Sequence, residues 1–244
     1  MEKQNKNTEE EFVILDLYCG VGGSAVGLER AWRKVFPNKK LRIIGVDINP
    51  QPNYPFEFVK ADVTQLTEVE HYDFIWASPP CQSYTFASKK ARNKGKKYPD
   101  CVKETRDLLL KSGKPSVIEN VTTAPIRKDL ILCGEMFGFK VIRHRAFEIN
   151  GFEVRQPEHK KHKGSVKEGF YVSVAGHGGD GKASLKAFQD AMDIHWTKNK
   201  KSICEAVHPG YSEFIFTQYL TKLNNGNDGI PPKPKDLGIL PNFI

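Results

Sequence analysis

The sequence contains no long apolar run, no CxxC cysteine pair and no Gly-Lys-Ser/Thr phosphate loop. Its five cysteines are odd in number, which argues against a disulfide framework and favours a reducing cytoplasm. No apolar stretch approaches the length of a transmembrane helix, and the polar residues 1–11 predict a short disordered lead rather than a signal peptide. Without a phosphate loop, the chain suits a nucleoside that carries no triphosphate better than it suits ATP.

The spacing of the histidines also gives little support for a bound metal. His159 and His162 are three residues apart, but the sequence offers no second pair of ligands to complete a zinc site. We therefore expect no metal ion in this protein.

The charge of the chain is unbalanced, with a formal net charge of +8 that suits a polyanionic partner such as a nucleic acid. Residues 88–97 are strongly basic and are predicted to form a flexible loop that could close over a phosphate backbone. Residues 159–164 form a second basic segment between two predicted strands, for which a solvated face is an equally good interpretation. The candidate nucleic-acid contacts are Gln82, Lys89, Lys90, Arg92, Lys160 and Lys161.

Short apolar runs alternate with segments of helical periodicity. Strands are predicted over residues 12–15, 41–46, 56–59, 74–77, 117–121, 145–149 and 170–174. Helices are predicted after a cap at Ser24 and over residues 100–112, 185–192 and 212–223. This alternation predicts one α/β domain, with a mostly parallel sheet covered by helices on both faces and a small appendage.

Reactive side chains follow two of the predicted strands. Cys81 comes directly after two prolines that stiffen the loop beyond residues 74–77, and Glu119 lies towards the end of a later apolar strand. Because parallel strands present their carboxyl ends at one edge of a sheet, this thiol and this carboxyl group are expected at the same edge. The pair suggests covalent catalysis assisted by an acid. A buried free cysteine and a turn-capping acid are the structural alternatives.

A glycine-rich turn follows the first predicted strand. Residues 16–23 read DLYCGVGG, and such a turn lets a ligand approach the backbone closely. Asp47 ends the next strand, where it could accept hydrogen bonds from a ribose, and Asp62 is a third acid after a third strand. The turn favours a nucleoside cofactor, with packing alone as the alternative.

Seven motifs follow one another between residues 16 and 213: DLYCGVGG, GVDINP, KADV, SPPCQ, IENV, RHR and AVHPGYSE. This ordered set resembles the cytosine-C5 methyltransferases, most closely their compact form, which is often found in phage genomes. The resemblance covers roughly residues 12–223. It implies the Rossmann-like fold of class I S-adenosylmethionine-dependent methyltransferases, with one antiparallel strand and a minimal target-recognition appendage.

The resemblance also implies a reaction, which is methyl transfer from S-adenosylmethionine to C5 of a flipped cytosine in DNA. Cys81 matches the nucleophile that adds to C6, and Glu119 matches the acid that holds N3 and the exocyclic amine. Arg145 matches the donor to the base O2, and Arg143 matches the residue that supports the loop carrying the nucleophile. The matching cofactor contacts are Asp16, Tyr18, Cys19, Gly20, Gly22, Gly23, Asp47, Ile48, Asp62, Val63, Pro79 and Ser212.

The expected organisation has five parts: a lead (1–11), a catalytic and cofactor-binding core (12–149), a reduced target-recognition segment (150–169), the remainder of the core (170–223) and a C-terminal strap (224–244). So small a recognition segment predicts a short or degenerate target sequence. We expect a monomer without membrane association, acting in a bacterial cytoplasm and encoded by a bacterium or a phage. Two alternatives stay open, an RNA cytosine-C5 methyltransferase and a catalytically silent nucleic-acid-binding homologue.

Overall fold

A computed structural model describes residues 11–159, 161–174 and 183–226. In this part of the chain seven strands form one sheet: β1 Phe12–Leu17, β2 Leu41–Asp47, β3 Glu57–Lys60, β4 Phe74–Ala77, β5 Ser116–Asn120, β6 Leu130–Leu132 and β7 Arg145–Asn150. Their order across the sheet is β3-β2-β1-β4-β5-β7-β6. β7 pairs antiparallel with both β5 and β6, and the other neighbours pair parallel. The predicted fold, a mostly parallel sheet with one antiparallel strand, is confirmed.

Six α-helices are described: α1 Gly23–Val35, α2 Lys89–Asn93, α3 Val102–Ser112, α4 Leu185–Met192, α5 Lys200–Glu205 and α6 Pro209–Asn225. Three short 3-10 segments accompany them: Val63–Gln65, Phe86–Ser88 and Gly134–Phe137. Among the described helices, none combines the length and the apolar character that crossing a membrane requires.

Helices cover both faces of the sheet, because alternate residues of β1 point into two separate apolar clusters. On one face, Phe12 packs against Trp32 of α1 and Phe216 of α6, with ring centroids 4.7 and 6.2 Å away. On the other face, Val13 shares a cluster with Leu109 of α3. All six residues of β1 are buried, which explains why the strand reads as a continuous apolar run and was readily predicted.

The strand predicted at residues 170–174 is not formed. The hydroxyl of Tyr171 donates to the carboxylate of Glu135, and the N–H of Val172 donates to the carbonyl of Lys140 at 2.8 Å. Bonds of this kind to residues outside the sheet hold the segment, in place of the hydrogen bonds to a neighbouring strand that were expected. The second basic segment consequently does not lie between two strands.

Ser24 is not the cap of α1, as the sequence had suggested. Gly22 precedes the helix with a φ of 87°, and no side chain caps this end. The hydroxyl of Ser24 donates to the carboxylate of Asp16 at 3.0 Å, because that carboxylate is fully buried and needs a donor.

The prediction of a flexible loop throughout residues 88–97 was wrong, since α2 forms within it. The guanidinium of Arg92 donates to the carbonyls of Gln82 at 2.7 Å and Thr85 at 2.8 Å, which ties α2 to the loop after Cys81. Two other elements were missed, β6 with 3 residues and α5 with 6. Elements this short do not display a periodicity that could be recognised.

Helix α6 is longer than predicted at both ends. Pro209 occupies its first position, and the ring Nδ1 of His208 accepts the N–H of Gly210 at 3.0 Å as a cap. The helix ends at Asn225, so the first residues of the predicted strap belong to it. The rest of the strap (227–244) and nearly all of the predicted lead (1–10) lie outside the described residues.

Candidate active site

Three elements hold the loop that carries Cys81 at the carboxyl edge of the sheet. The N–H of Ser78 donates to the carbonyl of Leu17 at 3.1 Å, and the side-chain amide of Asn120 donates to the carbonyl of Pro79 at 2.9 Å. The carbonyl of Cys81 then accepts two backbone N–H groups of the following turn, each at 2.9 Å. The half-buried thiol is therefore fixed from β1, from β5 and from its own turn.

The predicted acid forms an ion pair beside this loop. Glu119 belongs to β5 and Arg145 begins the antiparallel β7, so the two side chains meet where these strands pair. Oε1 of Glu119 lies 2.8 Å from Nε of Arg145, and their side chains are only 8% and 15% exposed. Burial raises the pKa of Glu119, against the opposing effect of the Arg145 and Arg143 charges. A raised pKa makes a carboxyl group more able to hold and donate a proton than an exposed one.

The thiol of Cys81 responds to the same charges. Burial raises its pKa, the positive charge of Arg145 lowers it, and the negative charge of Glu119 raises it. The three predicted side chains therefore lie within electrostatic reach of one another, as the shared edge of the sheet implied.

Arg143 lies just before β7, whereas Arg145 is the first residue of that strand. Its guanidinium donates to the carbonyls of Val174, Cys204 and Ala206 at 3.2, 2.7 and 3.1 Å, while the hydroxyl of Tyr211 donates to the Arg143 carbonyl at 2.6 Å. These bonds tie the approach to β7 to α5 and α6, and no short-range sequence signal pointed to them. The charge of Arg143 also lowers the pKa of Cys81, and its support of the cysteine loop stays a prediction.

The glycine-rich turn joins β1 to α1 through three residues of positive φ: Tyr18 at 56°, Gly20 at 50° and Gly22 at 87°. A Cβ at Gly22 would lie 2.7 Å from the ring of Pro55, whereas a Cβ at Gly20 would meet no atom within 4 Å. The turn is therefore closely packed on one side and open on the other. The open side leaves room for a ligand against the backbone.

Two carboxylates at the ends of neighbouring strands lie near this turn. Asp47 accepts the N–H of Gly20 at 3.1 Å and that of Asn49 at 2.8 Å. Asp62 caps the 3-10 segment that begins at Val63, by accepting the N–H of Thr64 at 2.9 Å. The side chain of Ile48 is an exposed apolar surface, 58% accessible. Acids that can bind a ribose and an exposed apolar side chain that can cover a base fit the adenosine of S-adenosylmethionine.

Several predicted cofactor residues lie behind the turn. Asp16 is fully buried and accepts hydrogen bonds from the hydroxyls of Ser24 and Tyr54, and burial raises its pKa to about 7. The hydroxyl of Ser212 donates to the carbonyl of Ser24 at 2.8 Å, joining α6 to α1. Cys19, Gly23, Val63 and Pro79 are also buried. The burial and hydrogen bonds of these residues show that they support the fold around the turn. Their contact with a cofactor stays a prediction.

The predicted nucleic-acid contacts fall into two groups. Lys89 and Lys90 are exposed on α2, beside the loop that carries Cys81, and Lys161 is exposed in the second basic segment; Lys160 lies outside the described residues. Gln82 is different, because its Oε1 is buried and finds no hydrogen-bond partner in the part of the chain that the structure describes. An unpartnered buried acceptor next to the reactive thiol is suited to receiving a donor from a ligand.

Part of the chain is similar to known methyltransferases. The family described as C-5 cytosine-specific DNA methylase matches residues 12–124. The type II methyltransferase M.HgiCI of Herpetosiphon aurantiacus is 29% identical over 81 residues, which are 32% of this chain and 19% of that protein. M.NlaIV of Neisseria lactamica is 27% identical over 121 residues, 46% of this chain and 28% of that protein. The chain thus spans less than a third of the length of these relatives.

Two solved structures share the fold. The S. pombe Dnmt2 methyltransferase superposes with a TM-score of 0.58 at 14% identity, covering 88% of this chain and 100% of that one. The Entamoeba histolytica methyltransferase EhMeth gives a TM-score of 0.52 at 14% identity, covering 87% and 98%. The sheet order is therefore that of a Rossmann-like class I methyltransferase. The stretch that matches the C-5 cytosine-specific DNA methylase family includes the glycine turn, Cys81 and Glu119.

Proposed function

We propose that this chain transfers a methyl group from S-adenosylmethionine to C5 of cytosine in DNA. The observation that carries the proposal is the half-buried thiol of Cys81 beside the buried Glu119–Arg145 ion pair, at the same edge of the sheet as an open glycine turn.

The role of Cys81 follows from the chemistry of cytosine. Carbon C5 is a poor nucleophile until another nucleophile adds to C6. The thiolate of Cys81 forms a bond to C6, and the electron pair of the C5–C6 double bond becomes available at C5. The nearby positive charge of Arg145 favours the thiolate form, which partly opposes the effect of burial on this pKa.

Glu119 stabilises the negative charge that develops on the cytosine ring during this addition. Its raised pKa allows the carboxyl group to hold a proton, which it can share with N3 as negative charge accumulates there. Arg145 fixes the orientation of the carboxyl group through the 2.8 Å contact and, by the family resemblance, donates to the base O2. After transfer, a base removes the C5 proton and the thiol is eliminated.

The cofactor would lie against the glycine turn. Gly20 leaves the backbone accessible on the open side of the turn, and Asp47 and Asp62 offer carboxylates beside it, while Ile48 offers an exposed apolar surface. When bound, S-adenosylmethionine supplies an electrophilic methyl group on a sulfonium. A stacked cytosine hides its C6, so the target nucleotide would have to be flipped into the site. The exposed lysines of α2 could bind the phosphates.

The target sequence should be short or degenerate. Apart from Asn150, the last residue of β7, the described residues of segment 150–169 contain neither helix nor strand. Direct readout requires a rigid element that presents several side chains to base edges, each good contact contributing roughly 1–3 kcal/mol of discrimination. Bisulfite sequencing of DNA methylated to completion would show cytosines with at most one preferred neighbour. A strict target of about four base pairs or more would contradict this proposal.

The activity is tested by incubating the full chain with tritiated S-adenosylmethionine and either duplex DNA or RNA of matched sequence. We expect the label in 5-methylcytosine after digestion of the DNA and little in the RNA. Label on adenine, or no transfer to either polymer, would overturn the proposal, and label in RNA alone would replace DNA as the substrate.

A further inference from the structure

Four potential metal ligands meet outside the candidate active site. Cys133, His144, His159 and His162 each offer a ligand atom, and these four atoms lie within 4.8 Å of one another. The expectation that His159 and His162 have no second ligand pair was therefore wrong. The fold supplies that pair from two other segments, Cys133 directly after β6 and His144 directly before β7.

We propose that these four side chains bind one Zn²⁺ ion at a structural site. The spacing of the ligand atoms carries the proposal. Tetrahedral zinc with Zn–S bonds of about 2.3 Å and Zn–N bonds of about 2.05 Å has S–N edges of about 3.6 Å and N–N edges of about 3.3 Å. In the structure, Sγ of Cys133 lies 3.4 Å from Nε2 of His162, and that nitrogen lies 3.3 Å from Nε2 of His159.

The donor set selects the type of metal. A thiolate and three imidazoles are soft or borderline ligands, which suit zinc and disfavour the oxygen-seeking ions Mg²⁺ and Ca²⁺. Four protein ligands complete a tetrahedron and leave no open position for water or substrate, which is the arrangement of a structural rather than a catalytic zinc site.

The surroundings of Cys133 support a thiolate at this position. The side chain is fully buried, and its sulfur accepts the backbone N–H of Met136 at the start of the 3-10 segment Gly134–Phe137. Hydrogen bonds from backbone N–H groups to a metal-bound sulfur stabilise its negative charge and orient it.

The location of the cluster gives the ion a structural role. His159 and His162 belong to residues 150–169, the predicted target-recognition segment, whose described residues beyond β7 form neither helix nor strand. Cys133 and His144 belong to the edge of the sheet, and His144 lies between Arg143 and Arg145. A bound ion would therefore crosslink a segment without a core of its own to the strand that carries the arginine of the candidate active site.

The test uses the full chain, reconstituted with zinc under reducing conditions and dialysed before its metal content is measured. We expect about one zinc per chain, and a loss of at least about fivefold in Cys133→Ser and in His159→Ala. His159 is exposed, so its variant separates loss of metal from loss of folding. The matched controls Cys101→Ser and His195→Ala alter residues outside the cluster and should keep the metal.

Cobalt substitution gives a second readout that does not depend on activity. Co²⁺ should show the visible bands of a tetrahedral site and a thiolate charge-transfer band that is absent in Cys133→Ser. A wild-type chain that retains no zinc, or ligand variants that retain as much as the controls, would overturn the proposal and leave a hydrogen-bonded cluster. Zinc content and cobalt spectra are measured without methyl transfer, so failure of this proposal is distinguishable from failure of the proposed activity.

Discussion

The carboxyl edge of the sheet has two halves that are built differently. In the glycine half, at the ends of β1, β2 and β3, the carboxylates of Asp47 and Asp62 accept N–H groups of the adjacent backbone. In the cysteine half, at the ends of β4 and β5 and the start of β7, Glu119 and Arg145 pair with each other, and Oε1 of Gln82 has no described partner. The carboxylates of the glycine half are paired with backbone N–H groups, whereas the carboxylate of Glu119 in the cysteine half is paired with a charged side chain.

Under the proposed function, this difference would separate cofactor binding from chemistry. Carboxylates held by the backbone keep the glycine half in one conformation before any ligand arrives, which favours recognition of a cofactor by shape. Paired charges in a buried setting shift the pKa of Cys81 and of Glu119, which is what a reaction through a thiolate and a proton donor requires. Changes in the cysteine half should therefore affect turnover, and changes in the glycine half should affect cofactor affinity.

The largest effect is expected for Cys81→Ser. A serine hydroxyl is far less ionised than a thiol and is a poorer nucleophile toward C6, so turnover should fall at least about a thousandfold. The affinity for S-adenosylmethionine, measured by calorimetry, should be retained because the glycine half is unchanged. Cys101→Ser is the matched control. Turnover close to wild type in Cys81→Ser would rule out covalent attack by this thiol.

The next largest effect is expected for Glu119→Gln, which keeps the size of the side chain but cannot supply a proton toward N3. Turnover should fall by about a hundredfold. Because the active form of Glu119 carries the proton, wild-type turnover should also decline as the pH rises through the raised pKa of this group, and the variant should lack that decline. Rate measurements across a pH series would check both, and a mild loss with an unchanged pH profile would reduce Glu119 to a structural role.

A smaller effect, on affinity, is expected for Gly22→Ala. The new Cβ would lie 2.7 Å from Pro55 at a φ of +87°, which displaces the turn. We expect the affinity for S-adenosylmethionine to weaken about tenfold, consistent with a strain of about 1–2 kcal/mol. Gly95 has the same φ of +87° with no atom near its Cβ, so Gly95→Ala carries the backbone strain without the contact. Equal cofactor affinity in the two variants would contradict a role for the packed turn.

The smallest effect on turnover is expected for Asp16→Asn, which should act through stability. The buried carboxyl has a pKa of about 7, raised from 3.8, so the folded state binds the proton more tightly than the unfolded state does. Wild-type stability is therefore greatest below the unfolded pKa and is lost as the pH rises toward the folded pKa. Between about pH 5 and about pH 8 this loss should be roughly 2–3 kcal/mol.

Urea unfolding of both proteins at several pH values checks this prediction. The variant has no carboxyl group at this position, so its stability relative to wild type should increase with pH across that interval. A constant difference between the two proteins would show that Asp16 does not titrate in the folded state.

The sequence predicted the sheet well and the appendage poorly, for a physical reason. Strands such as β1 are buried on both faces, so their sequences are apolar runs that predict a strand. The glycine turn and the cysteine loop are short contiguous motifs, so they too can be recognised in the sequence. Segment 170–174 contains apolar residues, which led to the prediction of a strand. It is held instead by contacts with Glu135 and Lys140, which are distant in sequence and cannot be predicted from a local pattern. The ligand cluster around Cys133 is still less visible, because its members come from separate segments that only the folded chain brings together.

The most direct test of the central claim is to trap Cys81 on its substrate. The chain is incubated with S-adenosylmethionine and duplex DNA containing 5-fluorocytosine, denatured, digested and analysed by mass spectrometry. Fluorine cannot leave C5 as a cation, so the thiol cannot be eliminated after methyl transfer, and we predict a denaturant-resistant adduct at Cys81. An enzyme that methylates ordinary cytosine but forms no such adduct, or forms it at another residue, would contradict the assignment of Cys81 as the nucleophile.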